Sequence, residues 1–242
     1  MLFRSIIVCY AIARKLGVDP MLAILTAGGT GICGAAAVMG LAGSIKVPED
    51  KQDEKDNDVT MAVAIVAIMG TVFALLEIAL GPLTGMSHTQ LGITAGASLH
   101  EIAHAVAAGG AAGAVGTDSA IIAKLSRVLL LAPVAIIVGV LEARRFRKQD
   151  GASEGKMTVP IPWFMGGFIL ASAVGSYLPF VNDFVPSLVQ LAYLLLGMAM
   201  AALGLNVNFG VILQKGLRPM VGALLCSFVI MGLSLSIVHT FF

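Results

Sequence analysis

The class of fold is visible in Val59–Leu80, which reads VTMAVAIVAIMGTVFALLEIAL and contains a single charged side chain, Glu77. A helix of about 22 residues is about 33 Å long, which is enough to cross the roughly 30 Å hydrocarbon core of a bilayer. The run is uniformly apolar and does not alternate, so it lacks the pattern of a β-barrel strand. We therefore expect a transmembrane helix here, ended by Gly81-Pro82.

The composition of the whole chain agrees with this interpretation. Of its 242 residues, 58% are hydrophobic and 12% are charged, and the mean hydropathy is +0.95. A soluble domain carries about 25% charged residues, so this chain has too few to cover its surface. The net charge of +1 gives no field that would recruit nucleic acid. Cys9, Cys33 and Cys226 show no disulfide or metal spacing, so we expect no cofactor.

Most of the charged residues lie in two stretches, Lys46–Asp58 and Glu142–Lys156, which hold 17 of the 29. The apolar segments between and around them predict an all-α polytopic membrane protein with about eight spans. The candidate spans are Leu2–Ala13, Pro20–Ile45, Val59–Leu80, His88–Ala112, Ser119–Leu141, Pro160–Leu178, Phe184–Leu205 and Leu217–Phe241. The distribution of Lys and Arg predicts that both termini and the acidic loop Lys46–Asp58 face outward from the cell's inner (plasma) membrane.

The second segment contains an unusual density of glycine, AGGTGICGA over Ala27–Ala35. One interpretation is close packing of helices through small residues, which is common in membranes. The other is a discontinuous helix whose freed backbone N–H groups face an anion, with Thr30 and Cys33 lining the break. The glycine count alone does not decide between them.

The seventh segment also ends in small residues and amides, among them Gly204 and Asn206. Interrupted segments at corresponding positions of two halves are a sequence sign of a transporter site. The second and seventh segments are five spans apart. This spacing predicts two five-helix repeats, the second inverted relative to the first.

The fourth segment contains His100-Glu101-x-x-His104, the pattern of zinc proteases. On a continuous helix both imidazoles would lie on one face and could bind one zinc ion, with Glu101 as the general base. A third protein ligand is not evident in the sequence. The alternative is a buried hydrogen-bonded cluster at a transport site, where His100 and Glu101 could couple protons.

Three further charged side chains lie in or beside predicted spans. Lys124 and Arg127 are three residues apart and share a helix face. They could extend to the lipid head groups, or they could contact an anion or pair with Glu101. Glu77 could be a proton carrier or part of a structural ion pair.

Together these motifs resemble the YeiH-type family of bacterial membrane proteins, which are described as sulfate exporters. The matching stretches are Gly29–Ala35, Ala95–Ala103, Ala107–Gly109, Lys124–Leu130, Pro162–Phe164 and Met198–Leu205. The resemblance implies a bile-acid/sodium symporter-like fold with two inverted five-helix repeats, and it makes the second and seventh segments the broken crossing helices. This chain has Gly31 where the family commonly has serine and His104 where it usually has glutamine. It also lacks two or three N-terminal helices of the family pattern.

We therefore expect one transmembrane domain over residues 1–242, with a partial first repeat at 1–82 and a second repeat at 83–242. The predicted function is transport of sulfate or another small anion, with proton coupling as an option and a homodimer as a candidate assembly. The alternatives are an intramembrane zinc protease and a truncated, inactive fragment. The predicted anion contacts are Gly29, Thr30, Gly31, Cys33, Gly34, His100, Glu101, Lys124, Arg127, Gly204 and Asn206.

Overall fold

A computed structural model describes residues 2–45, 47–150, 163–177, 184–205 and 216–241. Within these ranges the protein is helical and contains no β-strand. The helices are α1 Leu2–Lys15, α2 Pro20–Gly31, α3 Ala35–Ser44, α4 Gln52–Leu80, α5 His88–Ser98, α6 Ile102–Ala111, α7 Ala114–Val128, α8 Leu131–Asp150, α9 Trp163–Tyr177, α10 Val185–Leu205 and α11 Leu217–Phe241. Short 3-10 helices at Glu49–Lys51 and Gly81–Thr84 flank α4.

Three stretches of the described chain are long and apolar enough to cross a membrane: Glu49–Thr84, Ala114–Leu141 and Leu217–Phe241. They contain α4, α7 with the first half of α8, and α11, which correspond to the predicted third, fifth and eighth spans. The prediction of an all-helical chain with apolar spans is confirmed. The count of eight spans, the five-helix repeats and the division at residue 82 stay predictions.

The second predicted span, Pro20–Ile45, is interrupted after Gly31 and folds back on itself. A Cβ atom on Gly28 of α2 would overlap the side chain of Leu41 of α3, and one on Gly29 would lie 2.7 Å from Val38 Cγ2. In a straight helix Gly28 and Leu41 would be about 20 Å apart, so α2 and α3 form a helical hairpin. The segment is thus interrupted, as the second of the two interpretations expected, but it folds back and does not cross as one broken helix. We call α2–α3 hairpin 1.

The fourth predicted span, His88–Ala112, is a second hairpin and not a single crossing helix. Gly116, near the start of α7, contacts both of its ends: a Cβ on Gly109 of α6 would lie 2.8 Å from the Gly116 carbonyl oxygen, and one on Gly92 of α5 would overlap it. With 11 residues, α5 is about 16 Å long, half the thickness of the hydrocarbon core. We call α5–α6 hairpin 2; its chain reverses over Leu99–Glu101.

The two hairpins approach α4 from opposite ends. Lys55, near the start of α4, donates a hydrogen bond of 2.7 Å to the carbonyl of Ile45 at the open end of hairpin 1. At the other end of α4, a Cβ on Gly81 would lie 3.3 Å from Leu91 Cδ2 of hairpin 2. The tips therefore meet beside the middle of α4, where a Cβ on Gly70 would lie 2.5 Å from the ring of His104.

This arrangement bears on the predicted position of the acidic loop. Because α2 and α3 fold back, Lys15 before hairpin 1 and the loop Lys46–Asp58 after it lie at the same end of the hairpin. The predicted outward position of this loop therefore lacks its premise, since that prediction treated Pro20–Ile45 as one helix that crosses the membrane between Lys15 and the loop.

The seventh segment is not interrupted within the part of the chain that the structure describes. Helix α10 runs continuously over Val185–Leu205 and has its main contact with α4. The interruption was predicted at the Gly204–Asn206 end, which continues into residues outside the described ranges, so it stays a prediction; hairpin 2 is a second interrupted segment that the sequence did not indicate. Small residues such as Gly197 and Gly204 are compatible with a continuous helix when neighbouring helices or lipid support the backbone.

Candidate functional site

The tips of the two hairpins are joined by side chains from the reversal of hairpin 2 and from α7. The guanidinium of Arg127 donates to the carbonyl of Gly31 in hairpin 1 and to the carbonyl of Ala97 in hairpin 2. Glu101 Oε1 accepts a 3.1 Å hydrogen bond from the backbone N–H of Ala35, the first residue of α3. These contacts connect groups that are far apart in the sequence and define the candidate site.

Lys124 and Arg127 are buried beneath the hairpin tips, with exposed fractions of 0% and 6%. Lys124 donates to the carbonyl of Leu99, just past the end of α5. Both cations therefore lie where α2 and α5 end, and there they offset the negative end of each helix dipole and satisfy free carbonyls. The interpretation that they extend to lipid head groups is wrong, because the break in each hairpin supplies buried carbonyls for them.

Glu101 stabilises the opposite kind of helix end. It accepts from the first N–H of α3, where an acceptor and a negative charge are favourable. Its other oxygen, Oε2, has no hydrogen-bond partner and lies 3.9 Å from Nδ1 of His104. Gly34 makes room for this carboxylate: its φ is +73°, and a Cβ there would overlap the Glu101 side chain.

Both histidines are held by hydroxyl groups of neighbouring helices. His100 Nε2 lies 2.9 Å from Ser227 Oγ of α11, and His104 Nε2 lies 3.2 Å from Thr71 Oγ1 of α4. Each hydroxyl also donates to the carbonyl four residues before it, at 2.7 Å for Ser227 and 3.0 Å for Thr71. A hydroxyl has one hydrogen, so we infer that each imidazole carries its proton on Nε2 and donates it. This leaves both Nδ1 atoms as buried acceptors without partners.

The geometry does not reproduce the zinc-protease pattern. His100 and Glu101 lie in the reversal of hairpin 2, and α6 begins at Ile102, so His100 and His104 do not share one face of a continuous helix. Within the described ranges, no group of three or more His, Cys, Asp or Glu side chains is arranged to hold a metal ion. The shared-face prediction is wrong because a helix break falls inside the motif.

Most of the predicted site residues come together at the tips. These are Gly29, Thr30, Gly31, Cys33, Gly34, His100, Glu101, Lys124 and Arg127. The hydroxyl of Thr30 is buried there without a hydrogen-bond partner. Gly204 lies instead in α10, whose main contact is α4, and Asn206 lies outside the described residues.

The sequence-based predictions omit three hydroxyl-bearing residues that contact titratable side chains. They are Thr71 beside His104, Ser98 beside Glu77 and Ser227 beside His100. Each lies within an apolar segment, so polarity inside a span was the available signal. Serine and threonine are common in membrane helices because they bond back to the preceding turn, and the sequence does not show which of them also hold a titratable side chain.

Comparison with known proteins identifies a family for the chain. The family model described as conserved hypothetical protein 698 matches residues 1–223. A UPF0324 membrane protein of Bifidobacterium longum is 68% identical over 238 residues, covering 98% of this chain and 66% of the relative. A UPF0324 membrane protein of Lactobacillus johnsonii is 52% identical over 214 residues, covering 88% of this chain and 62% of the relative.

A third relative, a UPF0324 membrane protein of Oceanobacillus iheyensis, is 40% identical and covers 97% of this chain and 67% of its own length. The chain thus spans about two thirds of the length of these relatives. Their names state a membrane location and no substrate, so the sulfate-exporter function implied by the resemblance stays a prediction. No solved structure matches the chain significantly.

Proposed function

Because this chain belongs to the conserved hypothetical protein 698 family, whose relatives named above are membrane proteins, we propose that it is a multi-pass transporter of sulfate or another small anion. The membrane would be the bacterial inner (plasma) membrane. The observation that carries the proposal is the junction of two half-length hairpins around two buried cations, Lys124 and Arg127. A charged side chain at mid-membrane depth is energetically costly. Those that occur there form ion pairs or mark a functional site.

The helix ends at the junction favour a negative charge. The carbonyl ends of α2 and α5 accept hydrogen bonds from Arg127 and Lys124, respectively. The N–H ends of α3 and α6 point toward the same region. Glu101 caps α3, but α6 has no side-chain cap. Free N–H groups at the start of a helix attract anions, as in transporters with discontinuous helices. The small hydroxyl of Thr30 adds a further donor beside them.

The order of the helices supports alternating access. Each hairpin is followed by a long membrane-crossing stretch: hairpin 1 by α4, and hairpin 2 by α7 and α8. The two hairpins open toward opposite ends of α4. Each hairpin forms one unit with the stretch that follows it, and the two units would therefore have opposite orientations. Movement of one unit against the other would expose the junction to either side of the membrane. Residues 56–123 contain no Lys or Arg, and by the positive-inside rule this favours an outward-facing open end for hairpin 2.

The direct test is uptake of radiolabelled sulfate into liposomes that contain the purified chain, compared with empty liposomes. Sulfate binding to the detergent-solubilised protein, measured by calorimetry, reports on the site independently of a complete transport pathway. We expect binding that thiosulfate, phosphate or small carboxylates compete with according to their fit. Absence of both binding and flux for all these anions would contradict the proposal.

A matched pair of variants tests the site. Lys124→Met removes a buried charge at the junction, whereas Lys15→Met removes an exposed one at the end of α1. We expect the first to abolish sulfate binding and the second to leave it unchanged. Equal binding by both variants would show that the buried cation does not hold the anion.

A further inference from the structure

A cavity of about 290 Å³ lies between α4, hairpin 2 and α11, toward the end of α4 where hairpin 2 opens. Its lining consists mainly of aliphatic side chains, among them Leu76, Leu91 and Met231. Among the described residues of this lining, Glu77 is the one titratable side chain. The hydroxyl of Thr94, which also lines the cavity, is buried and has no hydrogen-bond partner. A carboxyl group in a mainly aliphatic cavity calls for a chemical reason.

Glu77 is connected to the tip of hairpin 2 through one hydroxyl group. Ser98 Oγ contacts Glu77 Oε1 and also lies 2.7 Å from the carbonyl oxygen of Thr94, one turn earlier in α5. The single hydroxyl hydrogen cannot serve both oxygens fully. When Glu77 is protonated, it can donate to Ser98, which keeps its bond to Thr94. When Glu77 is ionised, Ser98 must donate to it, and the last turn of α5 loses that bond.

The next residue carries the effect to the anion site. The carbonyl of Leu99, directly after Ser98, accepts from Lys124. The elements that line the cavity with Glu77 are α5, α6, α11 and the 3-10 helix after α4. The ammonium group of Lys124 on α7 interacts electrostatically with Glu77. A change in the protonation of Glu77 can therefore reach the buried ammonium group of Lys124 through the hydroxyl of Ser98 and the peptide unit between Ser98 and Leu99.

The charges around the tips give the direction of the coupling. With Glu77 ionised, two carboxylates, Glu77 and Glu101, balance two cations, Lys124 and Arg127. Addition of one proton to Glu77 leaves one positive charge in excess. In a region of low dielectric constant such an excess strongly favours a bound anion.

We propose that Glu77 is the proton-binding site that couples anion binding at the hairpin tips to the proton concentration in the cavity between α4, hairpin 2 and α11. The proposal rests on the proposed anion transport. In its cycle a proton from the cavity adds to the Glu77 carboxylate, an anion binds beside Lys124, and both leave together on the other side. Proton and anion thus move in the same direction, one proton for each anion.

The test measures protons and anions separately. Detergent-solubilised protein is placed in weak buffer with a pH indicator dye, and sodium sulfate is added; calorimetry under the same conditions gives the sulfate bound. We expect the wild-type chain to take up about one proton per bound sulfate. Glu77→Gln should bind sulfate without proton uptake, and its affinity should not change between pH 6 and 8. Asp118→Asn, an exposed carboxylate on α7, is the control and should behave as wild type.

The outcomes separate the two proposals. If wild-type protein binds no anion, the proposed function fails. If wild-type protein binds sulfate and Glu77→Gln takes up as many protons as wild type, anion binding stands and the role of Glu77 is overturned. Should Glu77→Gln not fold, Ser98→Ala retains the carboxyl group and removes its partner. Its sulfate binding should then have a displaced pH profile, and an unchanged profile would overturn the proposal.

Discussion

Glu101 of hairpin 2 accepts a hydrogen bond of 3.1 Å from the backbone N–H of Ala35 of hairpin 1, 66 residues earlier in the chain. The break in hairpin 2 thus supplies a hydrogen-bond acceptor for the start of α3 in hairpin 1. Arg127 completes the same connection from α7, since it bonds carbonyls of both hairpins. The junction is held by hydrogen bonds between charged side chains and the backbone groups of helix ends. Such bonds are stronger inside a membrane than at a water-exposed surface.

Substitution of Glu101 by alanine should destabilise the protein, whereas substitution by glutamine should not. Alanine leaves the N–H of Ala35 without an acceptor, a loss of about 1 to 2 kcal/mol for a helix cap. The amide of glutamine retains an acceptor for Ala35, and its NH₂ group can donate to Nδ1 of His104, which lies 3.9 Å from Glu101 Oε2. Thermal unfolding in detergent measures both. Equal losses for the two variants would mean that the cap is not the role of this side chain.

Gly34→Ala should be more destabilising than Gly85→Ala. Both glycines have positive φ, +73° and +69°, so alanine adds about 1 to 2 kcal/mol of backbone strain at either position. A Cβ at Gly34 would in addition overlap Glu101, while one at Gly85 meets nothing within 4 Å. The difference between the two unfolding midpoints therefore isolates the steric contact at the junction. Identical midpoints would indicate that Glu101 moves away without loss.

The sequence predicted the class of fold and most of the residues that lie together at the hairpin tips, but not how the segments fold back. Hydropathy identified the crossing stretches, and glycine density located the break after Gly31. Hydropathy does not distinguish one helix of 25 residues from a hairpin of two half-length helices, which is why His88–Ala112 was misassigned. The break at Leu99–Glu101 contains no glycine or proline. It depends on Lys124 and Arg127, which satisfy the carbonyls it exposes, and that pairing exists only in three dimensions.

Arg127→Lys should destabilise the protein although it retains the charge. The guanidinium bonds the carbonyls of Gly31 and Ala97 with two different nitrogens, and a single ammonium group lacks this fork geometry. One buried carbonyl is then left without a donor, a loss of about 1 to 3 kcal/mol. Arg218→Lys, at an exposed position on α11, is the matched control and should stay within about 0.5 kcal/mol of wild type. Thermal unfolding of both variants in the same detergent provides the comparison.

The fold predicts which residues are reached from the same side of the membrane. His88 at the start of hairpin 2 and Ala111 at its end are both exposed and both lie at the open end of that hairpin. The same holds for Lys15 and Asp50 at the open end of hairpin 1. The native cysteines Cys9, Cys33 and Cys226 are buried, and this limits background labelling.

Single cysteines at these positions, treated with a membrane-impermeant maleimide in intact cells and in inverted vesicles, give the measurement. We expect His88→Cys and Ala111→Cys to react from the outside, and Lys15→Cys and Asp50→Cys to react from the inside. If each hairpin were instead a single crossing helix, His88 and Ala111 would lie on opposite sides of the membrane. Lys15 and Asp50 would likewise lie on opposite sides. Labelling of either pair from opposite sides would therefore overturn the corresponding hairpin and, with it, the meeting of the tips at mid-membrane depth.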